Sequence, residues 1–246
     1  MAAALPEDLI PMPELALSCA VFLAIHLLIA GTTMRDRVVA VLTEGGYMAA
    51  FSLASIAVIV WMCLSFNAAL AGDNPQLWYL GEGVKHAGGI VMALAFLMVV
   101  PGLLTPNPTS VGQASLAGRE DVARGMLRIT RHPFLWGVAI WSSFHLLANG
   151  DEASAIFFGS FLVLSLAGTA SIDAKRKRKS PEEWGRFAAL TSNVPFAAIL
   201  SGRNRLSIGE LLTWRQLVAI IVFAGIFLTH HLIFGVSPFP GGRVPF

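Results

Sequence analysis

Among residue types able to do chemistry, histidine is the one this chain keeps in unusual places. His26, His86, His145 and the adjacent His230 and His231 lie within long apolar blocks, and His132 stands at the mouth of one, in Arg131-His132-Pro133. Neutral imidazole is the commonest protein ligand for a transition metal and a frequent axial ligand of haem iron. The same blocks carry no carboxylate at mid-depth: Glu14, Asp151, Glu152 and Asp173 all fall at block ends. Imidazoles without carboxylates fit haem better than a hydrolytic zinc, whose sites tend to add Glu or Asp. No HExxH or other local ligand spacing is present, so ligands must come from different helices, as in bundle cores. His132 and His145 are 13 residues apart. That is about 20 Å along a helix, too far to share one metal. The plain alternative is that each imidazole hydrogen-bonds a neighbouring helix, worth about 0.6 kcal/mol on average. The residues alone leave both readings open.

These histidines need elements to hold them, and composition says which. Hydrophobic residues make up 55% of the 246, charged residues only 13%. Soluble chains average about 25% charge. The length suits one domain of residues 1–246, and the apolar blocks divide into six candidate membrane spans. They are Leu15–Gly31, Gly46–Leu70, Val84–Leu104, Pro133–Asn149, Ala153–Asp173 and Leu212–Gly235, each near or above the roughly 17 residues a tilted helix needs. The expected fold is all-α, a polytopic membrane protein with six transmembrane helices in one bundle. The opening "MAAALPEDLIPMPE" is acidic and proline-rich, which reads as the lead into an uncleaved first helix. Cys19 and Cys63 form no CxxC and are expected as small buried residues. Without mid-depth carboxylates, a proton pump or ion-coupled transporter is disfavoured.

Charge sorts the loops. Arg35, Arg37, Arg119, Arg124, Arg128, Arg131, Lys175–Lys179, Arg186, Arg203, Arg205 and Arg215 fall on one side of this topology, while Lys85 and Arg243 fall on the other. The positive-inside rule then puts the basic loops in the cytoplasm of a bacterial inner membrane and both termini outside. The run Lys175–Lys179 reads as an anchor to anionic lipid rather than a nucleic-acid site. After it, Ser180-Pro181-Glu182-Glu183 predicts a helix with Ser180 as N-cap and Glu183 closing a capping box. Trp184, Phe187 and Leu190 on one face make this a short interfacial cytoplasmic helix. "GLLTPNPTSVGQ" is irregular because of its X-Pro steps. In Asn149-Gly150-Asp151, Gly150 supplies a positive φ and Asp151 caps the next helix.

Three segments carry a resemblance. "RITRHPFLWGVAIWSSFHLLANGD", "LTSNVPFAAILSGR" and "TEGGYMAAFSLASI" are similar to the pattern of the NnrU family, to which the zeta-carotene isomerase of carotenoid synthesis is related. The resemblance implies a b-type haem held by two histidines, matching His26 and His145 by position. In the isomerase, reduced haem is thought to turn a central cis double bond of a poly-cis carotene to trans without net redox change. The implied ligand is thus haem iron and the implied substrate a lipophilic polyene. By residue count His26 lies in the inner half of its span and His145 in the outer half, about 10 Å apart in depth. Tilt can absorb this; otherwise His230 or His231 stands better opposite His145. The isomerase has a cysteine three residues before its second histidine, where this chain has Ser142.

Two other readings follow from resemblance. NnrU is associated with nitrite and nitric oxide metabolism, which implies a non-enzymatic or accessory haem role. Arg131-His132-Pro133 with Gly137, Glu182-Glu183 and Val194-Pro195 is similar to membrane methyltransferases that use S-adenosylmethionine. The tyrosine expected two residues after the proline of that motif is Leu135 here. An ion pair from Arg131 to Glu182 or Glu183 is expected across the mouth of the fourth span.

Overall fold

A computed structural model describes residues 11–119 and 121–242. Helices dominate, and among the described residues the only β pairing is an isolated bridge between Gln76 and Asp151. In chain order the α-helices are α1 (Pro11–Ala24), α2 (Met34–Ala71), α3 (Val84–Leu104), α4 (Met126–Ile129) and α5 (Pro133–Asn149). There follow α6 (Glu152–Lys179), α7 (Pro181–Leu190), α8 (Ala197–Leu200), α9 (Ile208–Leu211) and α10 (Trp214–Phe234). Five helices are long and apolar enough to cross a membrane: Pro11–Ala30, Met34–Ala71, Val84–Leu104, Glu152–Lys179 and Trp214–Phe234. They expose large apolar residues such as Leu53, Ile90, Leu217 and Leu232, as a lipid-facing surface does. The expected fourth span is present as α5 with the expected bounds, but at 17 residues it does not join that group. Its length is about 25 Å against a hydrocarbon core of roughly 30 Å.

The chain forms two compact units, one of Met1–Leu80 with His145–Gly168, the other of Gly81–Phe144 with Thr169–Phe246. In the first, α1 packs along α2 and continues into a π-helical segment, Ile25–Ala30. The 38-residue α2 is not one regular helix, because Thr43 interrupts it at φ 65° and ψ 168°. Leu15, Phe22, Tyr47 and Met62 are buried between these elements. Cys19 is buried as expected, but Cys63 is exposed; its position on α2 turns it away from the packed face.

The first unit also contains the Asn149-Gly150-Asp151 turn, and both expectations for it hold. Gly150 has φ +72°, and Asp151 Oδ1 accepts from the Ser154 N–H at 2.8 Å to cap α6. Residues 74–78 latch onto this turn. Leu77 and Trp78 N–H groups donate to the Gly150 carbonyl at 2.8 and 3.0 Å, Trp78 Nε1 donates to Leu147 O at 3.2 Å, and Asn74 Nδ2 donates to Asp151 at 3.0 Å. Backbone carbonyls at the end of α5 are thereby satisfied.

In the second unit α3 meets α5 through small residues, which let helices approach closely in lipid. A Cβ on Gly137 would lie 2.6 Å from Val99 Cγ2 and 2.8 Å from Ala95 O. On α10, Phe223 packs on Phe96 of α3, and Arg215 Nε donates to Leu104 O at 3.0 Å. The loop elements share a small core of Ala117, Leu127, Trp184 and Phe187. This corrects the reading of α7 as lying apolar-face-down on lipid: Trp184 and Phe187 are buried in protein, and only Leu190 of the three is exposed. The predicted capping box is also absent. Ser180 makes no side-chain cap, its backbone lying outside the usual N-cap conformation at φ −146° and ψ 68°. A capping box forms instead at α10, between Thr213 and Gln216.

Arg128 clamps the loops of this unit, donating through Nε and Nη2 to Glu210 at 2.8 Å each and through Nη1 to Asn204 at 2.6 Å. Those bonds and the Gly125 N–H hold the Glu210 carboxyl down at about 2, against an ordinary 4.5. A depressed carboxylate contributes stability above its unfolded value and loses it as pH falls toward the folded one. Glu210→Gln is therefore expected to be less stable than wild type at pH 7, with the gap narrowing from about pH 4.5 down toward pH 2; unfolding midpoints across that range check it. A Cβ on Gly150 would collide with Trp78 O and lie 2.8 Å from Trp78 Cδ1. Gly150→Ala should lower stability by about 1–3 kcal/mol in thermal unfolding. Gly159→Ala, whose Cβ meets open space, is the near-neutral control.

Candidate functional site

The histidines divide between the units. His26 and His145 fall in the first, His86, His132, His230 and His231 in the second. Of the second set, His86 is exposed on α3, and His230 Nδ1 donates to Val236 O at 2.8 Å while its ring packs on Phe234.

His26 lies in the π-helical segment, a wider turn that breaks the 3.6-residue register and recurs at functional positions. Its Nδ1 is 2.8 Å from the Phe22 carbonyl oxygen, one turn back. A carbonyl oxygen only accepts, so the proton sits on Nδ1. In the neutral ring Nε2 then keeps its lone pair, the form of imidazole that ligates metals. A hydrogen bond of this kind fixes both tautomer and ring orientation.

Between the two imidazoles of this unit runs an unbroken series of aromatic contacts. His26 packs on Phe22 at 4.5 Å between ring centroids, Phe22 on Phe161 at 5.2 Å, and Phe161 on Phe157 at 5.3 Å. Phe157 meets Phe158 at 5.2 Å, and Phe158 stacks on His145 at 4.9 Å. Phe66 lies against Phe157 at 4.5 Å, and Phe51 stands edge-on to His26 at 5.1 Å. Centroid separations of 4.5–7 Å are those at which aromatic pairs attract. The surroundings are apolar and built of aromatic rings packed on one another. Sequence reasoning singled out the two histidines but not these rings. The signal was there: Phe22 and His26 are four apart, and Phe157, Phe158 and Phe161 share one helical face. Ser142, buried in α5, donates its hydroxyl to Val138 O at 2.8 Å and Ala139 O at 3.2 Å, so the group is committed to its own helix.

His132 is 2% exposed, with Nε2 2.7 Å from Asp173 Oδ1. Arg131 donates Nε to Asp173 at 2.9 and 3.0 Å and also bonds it through Nη2. Its N–H donates to Ser192 O at 2.9 Å. The expected pair from Arg131 to Glu182 or Glu183 is replaced by this one, because α6 brings Asp173 under the start of α5 while Glu183 faces Gly118. Burial pushes the His132 pKa down, and the Asp173 contact partly offsets that. The two residues on which a methyltransferase-like pocket would draw are thus both engaged by one carboxylate. They join α5, α6 and the 191–193 strap, since Thr130 Oγ1 and Trp136 Nε1 both donate to Asn193 O, at 2.5 and 2.8 Å. No group of three or more His, Cys, Asp or Glu suited to a metal ion occurs among the described residues.

Comparison with known proteins adds an independent line. The chain is 28% identical over 170 residues to a protein of Arabidopsis thaliana named 15-cis-zeta-carotene isomerase, chloroplastic, covering 67% of this chain and 46% of that one. It is 27% identical over 136 residues to the Zea mays protein of the same name, covering 54% of this chain and 37% of that one. The chain therefore spans less than half the length of these curated relatives. No solved structure matches. The model of the NnrU protein family matches residues 14–238, nearly the whole chain. With all-α architecture and membrane-length helices, this chain belongs to the NnrU family.

Proposed function

We propose that this membrane protein binds a b-type haem through His26 and His145 and isomerises a central cis double bond of a poly-cis carotene. The observation that carries the reading is the His26 Nδ1 bond to Phe22 O, which leaves Nε2 as the ligating nitrogen in a ring-lined setting that also contains His145. The donor chemistry fits: two imidazoles, aromatic walls, and no carboxylate among the side chains of that series. When bound, haem supplies the electron density that loosens a conjugated double bond so that it can rotate. The protein's own share is to fix the imidazoles, to exclude water with Phe22, Phe157 and Phe158, and to offer π faces to a polyene. The names of the plant relatives support the substrate class. Ser142 hydrogen-bonds its own helix, so iron ligation in this chain falls to imidazole rather than to a group at that position.

The basic loops support a cytoplasmic face that carries Lys175–Lys179 against anionic lipid, in a bacterial inner membrane. Lys177, Arg178 and Lys179 are exposed at the end of α6.

Co-expression in cells that accumulate a poly-cis carotene tests the activity. Chromatography of the extracted pigments is expected to give the isomer with a trans central bond from wild type and background from His26→Ala and His145→Ala. A haem-loaded wild-type protein that leaves the poly-cis carotene untouched overturns the isomerase reading while sparing haem binding.

A further inference from the structure

Where α3 and α10 leave the membrane, the second unit holds a cavity of about 340 Å³ that the haem reading does not use. Arg119, Arg124 and Arg215 line it, with Asp121, Thr105 and Leu116. Ligand-holding clefts run from roughly 300 to 1,000 Å³, so the volume suits a small polar group. Three guanidiniums meet one carboxylate in this lining. Arg119 engages that carboxylate, donating Nε and Nη2 to Asp121 at 3.1 and 3.3 Å. Arg124 Nη1 stands 3.9 Å from Asp121 Oδ2, outside hydrogen-bond reach. Arg215 commits Nε to the Leu104 carbonyl, and its guanidinium lies 5.0 Å from the centroid of the Trp214 ring.

Other carboxylates do not cancel the excess. Glu210, whose charge Arg124 also meets, is bonded twice by Arg128. Glu183 stands against Gly118 rather than in the lining, and Glu120 lies outside the described residues. Among the described residues the lining therefore keeps two uncompensated positive charges, on Arg124 and Arg215. An anion is the complement.

Depth identifies the class of anion. α3 ends at Thr105 and Arg215 is the second residue of α10, so the cavity sits where two membrane-length helices emerge. Trp214 is exposed beside it, and tryptophan favours the boundary between hydrocarbon and water. Leu103 and Leu212 are exposed close by in sequence and offer apolar surface to acyl chains. The anions a bilayer presents at this level are phospholipid phosphates. Guanidinium binds phosphate through paired N–H groups, more specifically than a lysine point charge does. We infer that Arg124 and Arg215, with Arg119 and the Thr105 hydroxyl, bind the phosphate of an anionic lipid headgroup in this cavity. The site is distinct from the Lys175–Lys179 run, which contributes nothing to the lining, and does not depend on haem.

Thermal unfolding of the full chain, delipidated in detergent, tests this with three additives: phosphatidylglycerol, phosphatidylcholine and inorganic phosphate. Phosphatidylglycerol is expected to raise the unfolding midpoint saturably, because a ligand of the folded state stabilises it. Equal concentrations of the other two should leave the midpoint unchanged. Arg124 is exposed and its guanidinium makes no hydrogen bond among the described residues, so Arg124→Gln spares the fold. In that variant half-saturation should need about tenfold more phosphatidylglycerol, the weight of one charge-assisted hydrogen bond. A variant carrying Lys177→Gln and Arg178→Gln, both exposed, should titrate like wild type. No shift with phosphatidylglycerol, or an equal shift with phosphatidylcholine, overturns the proposal. Protection by inorganic phosphate without protection by the lipid overturns the lipid as the source of the phosphate. Weaker binding in the Lys177 and Arg178 variant but not in Arg124→Gln assigns the effect to the basic run and overturns the cavity as the site.

Discussion

An imidazole has two nitrogens, and what one is made to do decides what is left for the other. In this chain the Phe22 carbonyl engages His26 Nδ1 at 2.8 Å, inside a unit otherwise walled by phenyl rings. Lipid provides no competing water, so the bond holds one tautomer and one ring orientation. The π-helical segment at Ile25–Ala30 shifts the side-chain register of the first span after Ala24 and carries His26 with it. The placement of His26 thus depends on a departure from regular helix rather than on the helix itself.

Much of the remaining structure restrains the elements that carry the histidines. The 74–78 segment ties the Asn149-Gly150-Asp151 turn, so the last turn of α5 just after His145 is held by hydrogen bonds to Gly150 O and Leu147 O. Asp173 gathers Arg131 and His132 where α5 begins, and Arg128 with Glu210 ties the following loops. Each latch joins residues far apart in sequence through charged or polar groups. The long helices themselves meet through apolar side chains and small residues, and expose leucine, isoleucine and valine outward. Rigidity at element ends and adaptability along the lipid face are thereby assigned to different residue types.

The helices were legible because a membrane demands that every backbone group be satisfied within its own segment, which turns hydropathy directly into helix. Val84–Leu104 and Pro133–Asn149 have the expected bounds. The Gly150 turn and the Asp151 cap were legible because they are local, governed by φ sterics and a three-residue reach. Five features were not. The π-helical segment contains no glycine or proline of its own, and the Thr43 break falls on a β-branched residue rather than on the Gly45-Gly46 pair that follows it. Asp173 as the partner of Arg131 depends on packing across 42 residues, whereas Glu182 and Glu183 only looked nearer in a topology diagram. The apolar face of α7 has the same pattern whether it meets lipid or Ala117 and Leu127, so periodicity does not distinguish the two. Crossing by α5 turns on a length that sits at the lower bound.

The proposed function stands or falls on whether His26 and His145 ligate one iron. The most direct measurement is the visible absorption of the detergent-purified protein, oxidised and reduced, beside His26→Ala and His145→Ala. Wild type is expected to show a Soret band with sharp α and β bands on reduction, and each variant their loss or conversion to a five-coordinate spectrum. A folded wild-type protein without haem, or variants whose spectra match wild type, would contradict it.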